Sequence, residues 1–349
     1  MIKIDSINTK GIKHAAIVGC GNIAGLADDD AKKRHIYTHA KAIDMIDRLV
    51  LSACCDTDET RLNAFAERWR IPNKYLDLRD MLGKERIDIL VVATPTDFHY
   101  EHVLIGLSNN IEVVFCEKPL TWEIEQGIEL VNKAKQLNKL LVVNYMRRWD
   151  SFYLECKNIL ESGELGRVET VVGYVDTALY MNSSHMLDMI IFFCGDVHSV
   201  IGYLDKMNKP RVVHGKKDFG GIVTIRHKNG IITFVKATGE SQRNHFFELD
   251  FQCTKGRLRI LDDDMKYEVY KFVDSPQHKG LDELTLEYTK LNDNKDERVV
   301  STYLDMLDYL ERKKQPLFPA REALKSLDLI RLIYESDYND NSVVYSRLG

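Results

Sequence analysis

Gly19-Cys20-Gly21-Asn22-Ile23-Ala24, directly after the apolar run 14–18, is the stretch whose reading decides the fold. It spells G-x-G-x-x-A, the phosphate-binding fingerprint with alanine in third place. A tight glycine turn at the end of a buried strand lets backbone amides approach a pyrophosphate at a helix N-terminus. The pattern alone is weak, so its weight comes from its neighbourhood.

Working outward, further short apolar runs at 49–55, 74–76, 87–93, 113–116 and 140–143 alternate with longer amphipathic stretches. That alternation predicts six strands joined by crossover helices in a parallel sheet, and runs this uniformly apolar suit strands buried on both faces. A helix is expected over 39–46, and the polar segment 28–35 before it reads as an inserted surface loop. Asp56 ends the second strand, 37 residues after Gly19. A carboxylate there accepts hydrogen bonds from ribose hydroxyls and repels a 2′-phosphate, which favours NAD over NADP. The competing reading is that the glycines only make a turn and Asp56 caps the following helix.

Two further strand ends carry chemistry: Ala93-Thr94-Pro95-Thr96-Asp97-Phe98-His99 and Cys116-Glu117-Lys118-Pro119. Ligands of doubly wound sheets bind at such ends. With Gly19, Gly21, Asn22, Ile23 and Asp56, the residues Thr94, Pro95, His99, Glu117 and Lys118 are therefore the expected cofactor contacts. Pro119 fixes the chain beside Lys118, whose ammonium can reach a substrate hydroxyl. His99 reads equally as a ligand contact or as a helix-start residue packed under the loop.

The whole chain has 349 residues, more than one core usually organises, which predicts two domains: 1–145, binding NAD, and 146–349. With 44% hydrophobic and 29% charged residues, it should fold throughout. The balance of 48 basic against 53 acidic residues, net −5, gives no field that favours nucleic acid or anionic lipid. Residues 1–13 lack the continuous apolar stretch of a signal peptide, so a cytoplasmic protein is expected. Seven cysteines without a C-x-x-C pair read as reduced structural thiols. Asp262-Asp263-Asp264 reads as a solvated turn, and no metal site is expected.

Beyond Arg167 the grammar changes. Strand-like runs at 221–226 and 231–237 flank the turn Lys228-Asn229-Gly230, and others follow at 246–253, 257–261 and 266–272. With a helix over 321–335, this predicts an α+β second domain built on a large, mostly antiparallel open sheet.

Taken in order, G-x-G-x-x-A, T-P-x-x-x-H and E-K-P resemble the Gfo/Idh/MocA family, the relatives of glucose-fructose oxidoreductase and inositol 2-dehydrogenase. Asn144 to Trp149, Ser162 to Val168 and the run Ser183-Ser184-His185-Met186-Leu187-Asp188 leading to Gly195 extend the likeness over nearly the whole chain. The resemblance implies a Rossmann domain followed by an α+β domain whose open sheet forms a homo-oligomer interface, in a dimer or tetramer. It implies hydride transfer between NAD and a hydroxyl or ketone of a sugar, sugar nucleotide or polyol. The E-K-P lysine and a second-domain histidine, here Lys118 and His185, would flank the reacting carbon.

His185 falls at the start of an expected helix, 184–194, where the dipole disfavours imidazolium and keeps the ring able to accept a proton. Lys118 would steady the oxygen with a charged hydrogen bond. Tyr145, Arg148 and Asn182 are the further expected substrate contacts, and Asp188 reads as structural. Many relatives carry aspartate four residues before the histidine, where this chain has Met181. Two other functions stay open: epimerisation or elimination with NAD recycled in place, and a non-catalytic dinucleotide-sensing protein.

Overall fold

In the computed structural model, which describes residues 11–26, 36–213, 215–237, 247–293 and 298–348, the chain divides into two compact units. Residues 1–150 and 295–324 make the first, residues 151–294 and 325–349 the second. The first unit thus takes back a late segment of the chain, and its boundary falls after Asp150.

In chain order the first unit contains β1 (Lys13–Val18), α1 (His39–Asp44), β2 (Leu49–Cys55), α2 (Glu59–Trp69), β3 (Asn73–Tyr75) and α3 (Leu78–Lys84). There follow β4 (Ile89–Val92), α4 (His99–Ser108), β5 (Val113–Cys116), α5 (Ile124–Gln136) and β6 (Leu140–Val143). The strands form a parallel sheet in the order β3-β2-β1-β4-β5-β6, the doubly wound topology the alternation predicts. Every residue of β4 and β5 is fully buried, which is why those runs carry no polar residue. The fourth strand is shorter than the expected 87–93, with Ile87 and Asp88 before it and Ala93 after it outside the regular ladder.

The helix after the glycine turn is interrupted. Residues 21–26 form a turn in which the Gly25 amide donates to the Gly21 carbonyl, and α1 resumes it: the amides of His39 and Ala40 donate to the carbonyls of Ile23 and Ala24 at 3.1 and 2.8 Å. In hydrogen-bond terms, residue 39 follows residue 26, as an insertion in a helix requires. The segment 28–35, expected as a surface loop, lies outside the described residues.

The second unit adds α6 (Ser151–Glu161), β7 (Val168–Val175), α7 (Asn182–Cys194), β8 (Val197–Leu204), β9 (Arg211–Val213), β10 (Lys216–Asp218), β11 (Gly221–His227) and β12 (Ile232–Ala237). It continues through β13 (Phe247–Cys253), β14 (Gly256–Leu261), β15 (Lys266–Asp274) and β16 (Asp282–Leu291). The chain ends with α8 (Arg298–Arg312), α9 (Ala320–Tyr338), which carries the boundary between the units, and β17 (Val344–Tyr345). A nine-stranded sheet in the order β16-β15-β14-β13-β7-β12-β11-β8-β17 is antiparallel except where β12 runs parallel to β7. Helix α9 lies so close to this sheet that a Cβ at Gly202 would come within 2.8 Å of the Ile333 carbonyl.

Two expectations need adjustment. The Asp262–Asp264 stretch does turn the chain between β14 and β15, but only Asp262 is exposed. Asp263 accepts from the Tyr153 hydroxyl at 2.6 Å, and Asp264, 2% exposed, accepts from Asn292. Helix α8, expected nowhere in the sequence reading, belongs to the core of the first unit through Val299, Val300, Tyr303, Met306 and Leu307. All seven cysteines are buried and free. No helix among the described residues is long and apolar enough to cross a membrane.

Candidate cofactor and active-site residues

A cleft of about 520 Å³ opens in the first unit at the carboxyl ends of β1, β2 and β4. Gly19, Gly21, Asp56, Thr94 and Pro95, expected from separate parts of the sequence, all line it. Gly19 turns the chain at φ +91°, and a Cβ there would sit 2.7 Å from the backbone of Ala93 and Thr94. At Gly21 a Cβ would meet nothing within 4 Å, so the missing side chain leaves space. The cradle therefore fits a pyrophosphate approached by backbone alone.

Asp56 ends the second strand and is held from three directions. Its carboxylate accepts from the amide of Cys20 at 2.8 Å and that of Asp58 at 2.9 Å. Arg61, in the first turn of α2, grips both oxygens at 2.9 Å. Burial pushes this carboxyl's pKa up, but the hydrogen bonds from Arg61, Asp58 and Cys20 outweigh it and the net shift is downward. Asp56 stays ionised, and Arg61, whose side chain is 43% exposed, is the partner that can move aside for a ribose diol. The sequence reading missed Arg61, although a basic residue one turn into the helix that follows an acidic strand end is a usable signal.

At the end of β5 the carboxylate of Glu117 turns into the protein. It pairs with His39 Nε2 at 2.9 Å and accepts from Asn144 Nδ2 at 2.6 Å, while His39 Nδ1 meets the Tyr303 hydroxyl at 2.9 Å. Burial again pushes its pKa up, and the bonds from His39 and Asn144 bring the net shift below the usual carboxylate range. Glu117 thus sits beneath the loop rather than lining the cleft, and the half-buried Lys118 follows it. His99, the first residue of α4, is 1% exposed, with both ring nitrogens 2.8 Å from carbonyls, those of Pro119 and Thr94. Of the other expected contacts, Asn22 is exposed and Ile23 packs on the core.

Tyr145 and Arg148 follow β6 and are both 3% exposed. The Arg148 guanidinium lies 5.4 Å from the centroid of the Phe318 ring and 3.8 Å from Glu322. In the second unit, α7 begins at Asn182, two residues earlier than expected, so His185 occupies its first turn at 5% exposure while Asn182 is exposed. The turn before it is fixed by Thr177, whose hydroxyl accepts from the Ser183 amide at 2.9 Å. Asp188 accepts from Ser326 at 2.7 Å, a buried structural bond.

Residues 13–145 match an oxidoreductase family with the NAD-binding Rossmann fold, and residues 174–344 match that family's C-terminal alpha/beta domain. The myo-inositol 2-dehydrogenase of Thermotoga maritima is 28% identical over 129 residues, 37% of this chain and 38% of that protein. The D-glucoside 3-dehydrogenase of Escherichia coli is 29% identical over 173 residues, 50% and 44% of the two chains. The match therefore spans less than half the length of either relative. Among solved structures, the WlbA dehydrogenase of Bordetella pertussis, in complex with NADH and UDP-GlcNAcA, superposes with a TM-score of 0.77 at 21% identity over 97% of this chain and 100% of that one. A levoglucosan dehydrogenase, in complex with NADH and L-sorbose, superposes with a TM-score of 0.80 at 17% identity over 96% and 99%. These two likenesses concern the fold. With both of the family's domains matched in order along the chain, the protein belongs to the Gfo/Idh/MocA oxidoreductase family.

Proposed function

We propose that this chain is an NAD-dependent dehydrogenase acting on a secondary alcohol, or the matching ketone, of a sugar, sugar nucleotide or polyol. The observation that carries the reading is the cradle: Gly19 pressed on the Thr94 backbone, Gly21 open on the cleft, and an ionised Asp56 beside them. The inositol and glucoside dehydrogenases among the relatives, and the UDP-GlcNAcA and L-sorbose of the superposed structures, support that substrate class.

Bound NAD would supply a hydride acceptor. Gly19, Gly21, Thr94 and Pro95 would hold the dinucleotide, and Asp56 the adenosine ribose in preference to a 2′-phosphate. In the oxidising direction His185 takes the hydroxyl proton while Lys118 donates a charged hydrogen bond to the oxygen, which becomes the ketone as the carbon loses its hydride. Tyr145, Arg148 and Asn182 complete the proposed substrate contacts. Self-association through the second unit's sheet belongs to the same proposal.

The test begins with the cofactor. Protein purified, denatured and analysed for released dinucleotide should yield NAD, and fluorescence titration should show NAD binding that Asp56→Ala weakens about tenfold or more, the worth of at least one charged hydrogen bond. A sugar and sugar-nucleotide panel read by nicotinamide absorbance then tests turnover, which Lys118→Ala and His185→Ala should abolish. Tight NAD binding with no turnover on any member would favour the dinucleotide-sensing reading that Met181 suggests. Failure to bind either dinucleotide at millimolar concentration would overturn the proposal.

A further inference from the structure

His99 is reached by two carbonyl oxygens from two different loops. Its Nδ1 lies 2.8 Å from the Pro119 oxygen, after β5, and its Nε2 lies 2.8 Å from the Thr94 oxygen, after β4. These are the loops that carry Thr94–Pro95 and Lys118. A carbonyl oxygen only accepts, so a bond to each requires a proton on both ring nitrogens, which only the imidazolium has; the neutral ring serves one and turns a lone pair on the other. The ring is 1% exposed, so no water relieves the second contact cheaply.

We propose that His99 is a positioning residue, not a cofactor ligand: it yokes the loop after β4 to the loop after β5 and so sets the spacing of the backbone on which the nicotinamide half of the dinucleotide rests. The inference rests on the dinucleotide reading of the cleft. Its second strut is proton-dependent. Burial pushes the ring's pKa below the ordinary histidine value, against the pull of the Pro119 and Thr94 carbonyls and of Glu117 at the end of β5. His102, one turn along α4, is the other titratable group in electrostatic contact and opposes the cation. At neutral pH the ring is therefore uncharged and one strut is made; the second is made only on the acid side of the ordinary histidine range, where the ring takes up its proton.

NAD and ADP-ribose separate this role from a general loss of fold, because they share the adenosine, the pyrophosphate and the second ribose and differ only in nicotinamide. Titrated by intrinsic fluorescence from pH 5 to 8, the wild type should gain affinity for NAD relative to ADP-ribose on the acid side. His99→Gln, whose single amide group can donate to one loop while its oxygen repels the other, should match the wild type at neutral pH, fall about tenfold below its NAD affinity on the acid side, keep its ADP-ribose affinity and show a flat ratio across the pH range. Equal losses for both ligands, or no loss for either, would overturn the yoke. A wild type that binds neither ligand would instead sink the dinucleotide reading. Should His99→Gln fail to fold, the wild-type pH series decides alone: a ratio that does not rise in acid rules the proposal out.

Discussion

Alanine at position 19 would set a methyl group 2.7 Å from the carbonyl of Ala93 and the amide of Thr94, on a backbone at φ +91°. Both neighbours are main chain and cannot rotate away. We predict that Gly19→Ala lowers the melting temperature by the equivalent of about 1–3 kcal/mol and removes NAD binding. A calorimetric scan and a titration check it, and a variant that melts and binds like the wild type would refute the close approach. Gly19, Gly21 and Asp56 were legible in the sequence because their signal is local: a glycine turn after an apolar run, an acid at a strand end. The settings of Glu117 and His99 were not. Glu117 is held by His39 and Asn144, and His39 by Tyr303, 264 residues away; His99 meets Pro119 twenty residues on. Spacing says that such residues are polar and near a strand end, but not whether the side chain turns to the cleft or away from it.

Strands β4, β5 and β6 were found because burial on both faces leaves them no polar residue, and the positions of all six strands shifted by only a residue or two. The second unit's sheet was harder to read, since its strands alternate and β7, β8 and β16 resemble ordinary amphipathic chain. One result of that alternation is an outward face with large apolar residues. Register pairs Tyr203 with Ile222, Thr224 with Phe234 and Arg226 with Ile232, so Tyr203, Ile222, Phe234 and Ile232 share a side, each more than a third exposed. Large apolar side chains exposed on one sheet face, interleaved with Thr224, Arg226 and Lys236, suit a surface that is covered on self-association. We predict that the chain is a homo-oligomer and that Phe234→Glu dissociates it without unfolding it, as measured by light scattering after size exclusion and by circular dichroism. An unchanged molar mass would exclude this face.

At the scale of the molecule, the first unit is not a sequential domain. Arg298, fully buried, donates through Nε to Asp150 at 2.9 Å, and Asp305 accepts from the Trp149 indole at the same distance. Removing residues 298–324 would leave Asp150 and Trp149 without these supports and His39 without Tyr303, and would uncover the core around Ile43, Ile46, Phe115, Val142 and Met146, with which Val299, Val300, Tyr303, Met306 and Leu307 cluster. We predict that a fragment of residues 1–150 collapses without cooperative melting, whereas the same fragment joined by a flexible linker to residues 298–324 melts in one transition. A sharply melting 1–150 fragment would show that α8 is an accessory. The same return of the chain governs how the protein is born. A ribosome that has delivered the six strands must still make residues 151–297 before α8 emerges, and at about 5–20 residues per second this is a wait of roughly 7 to 30 s. During that interval the nascent first unit has an open apolar flank and lacks the Arg298 guanidinium at Asp150, so chaperone dependence should concentrate there, ahead of any cofactor binding.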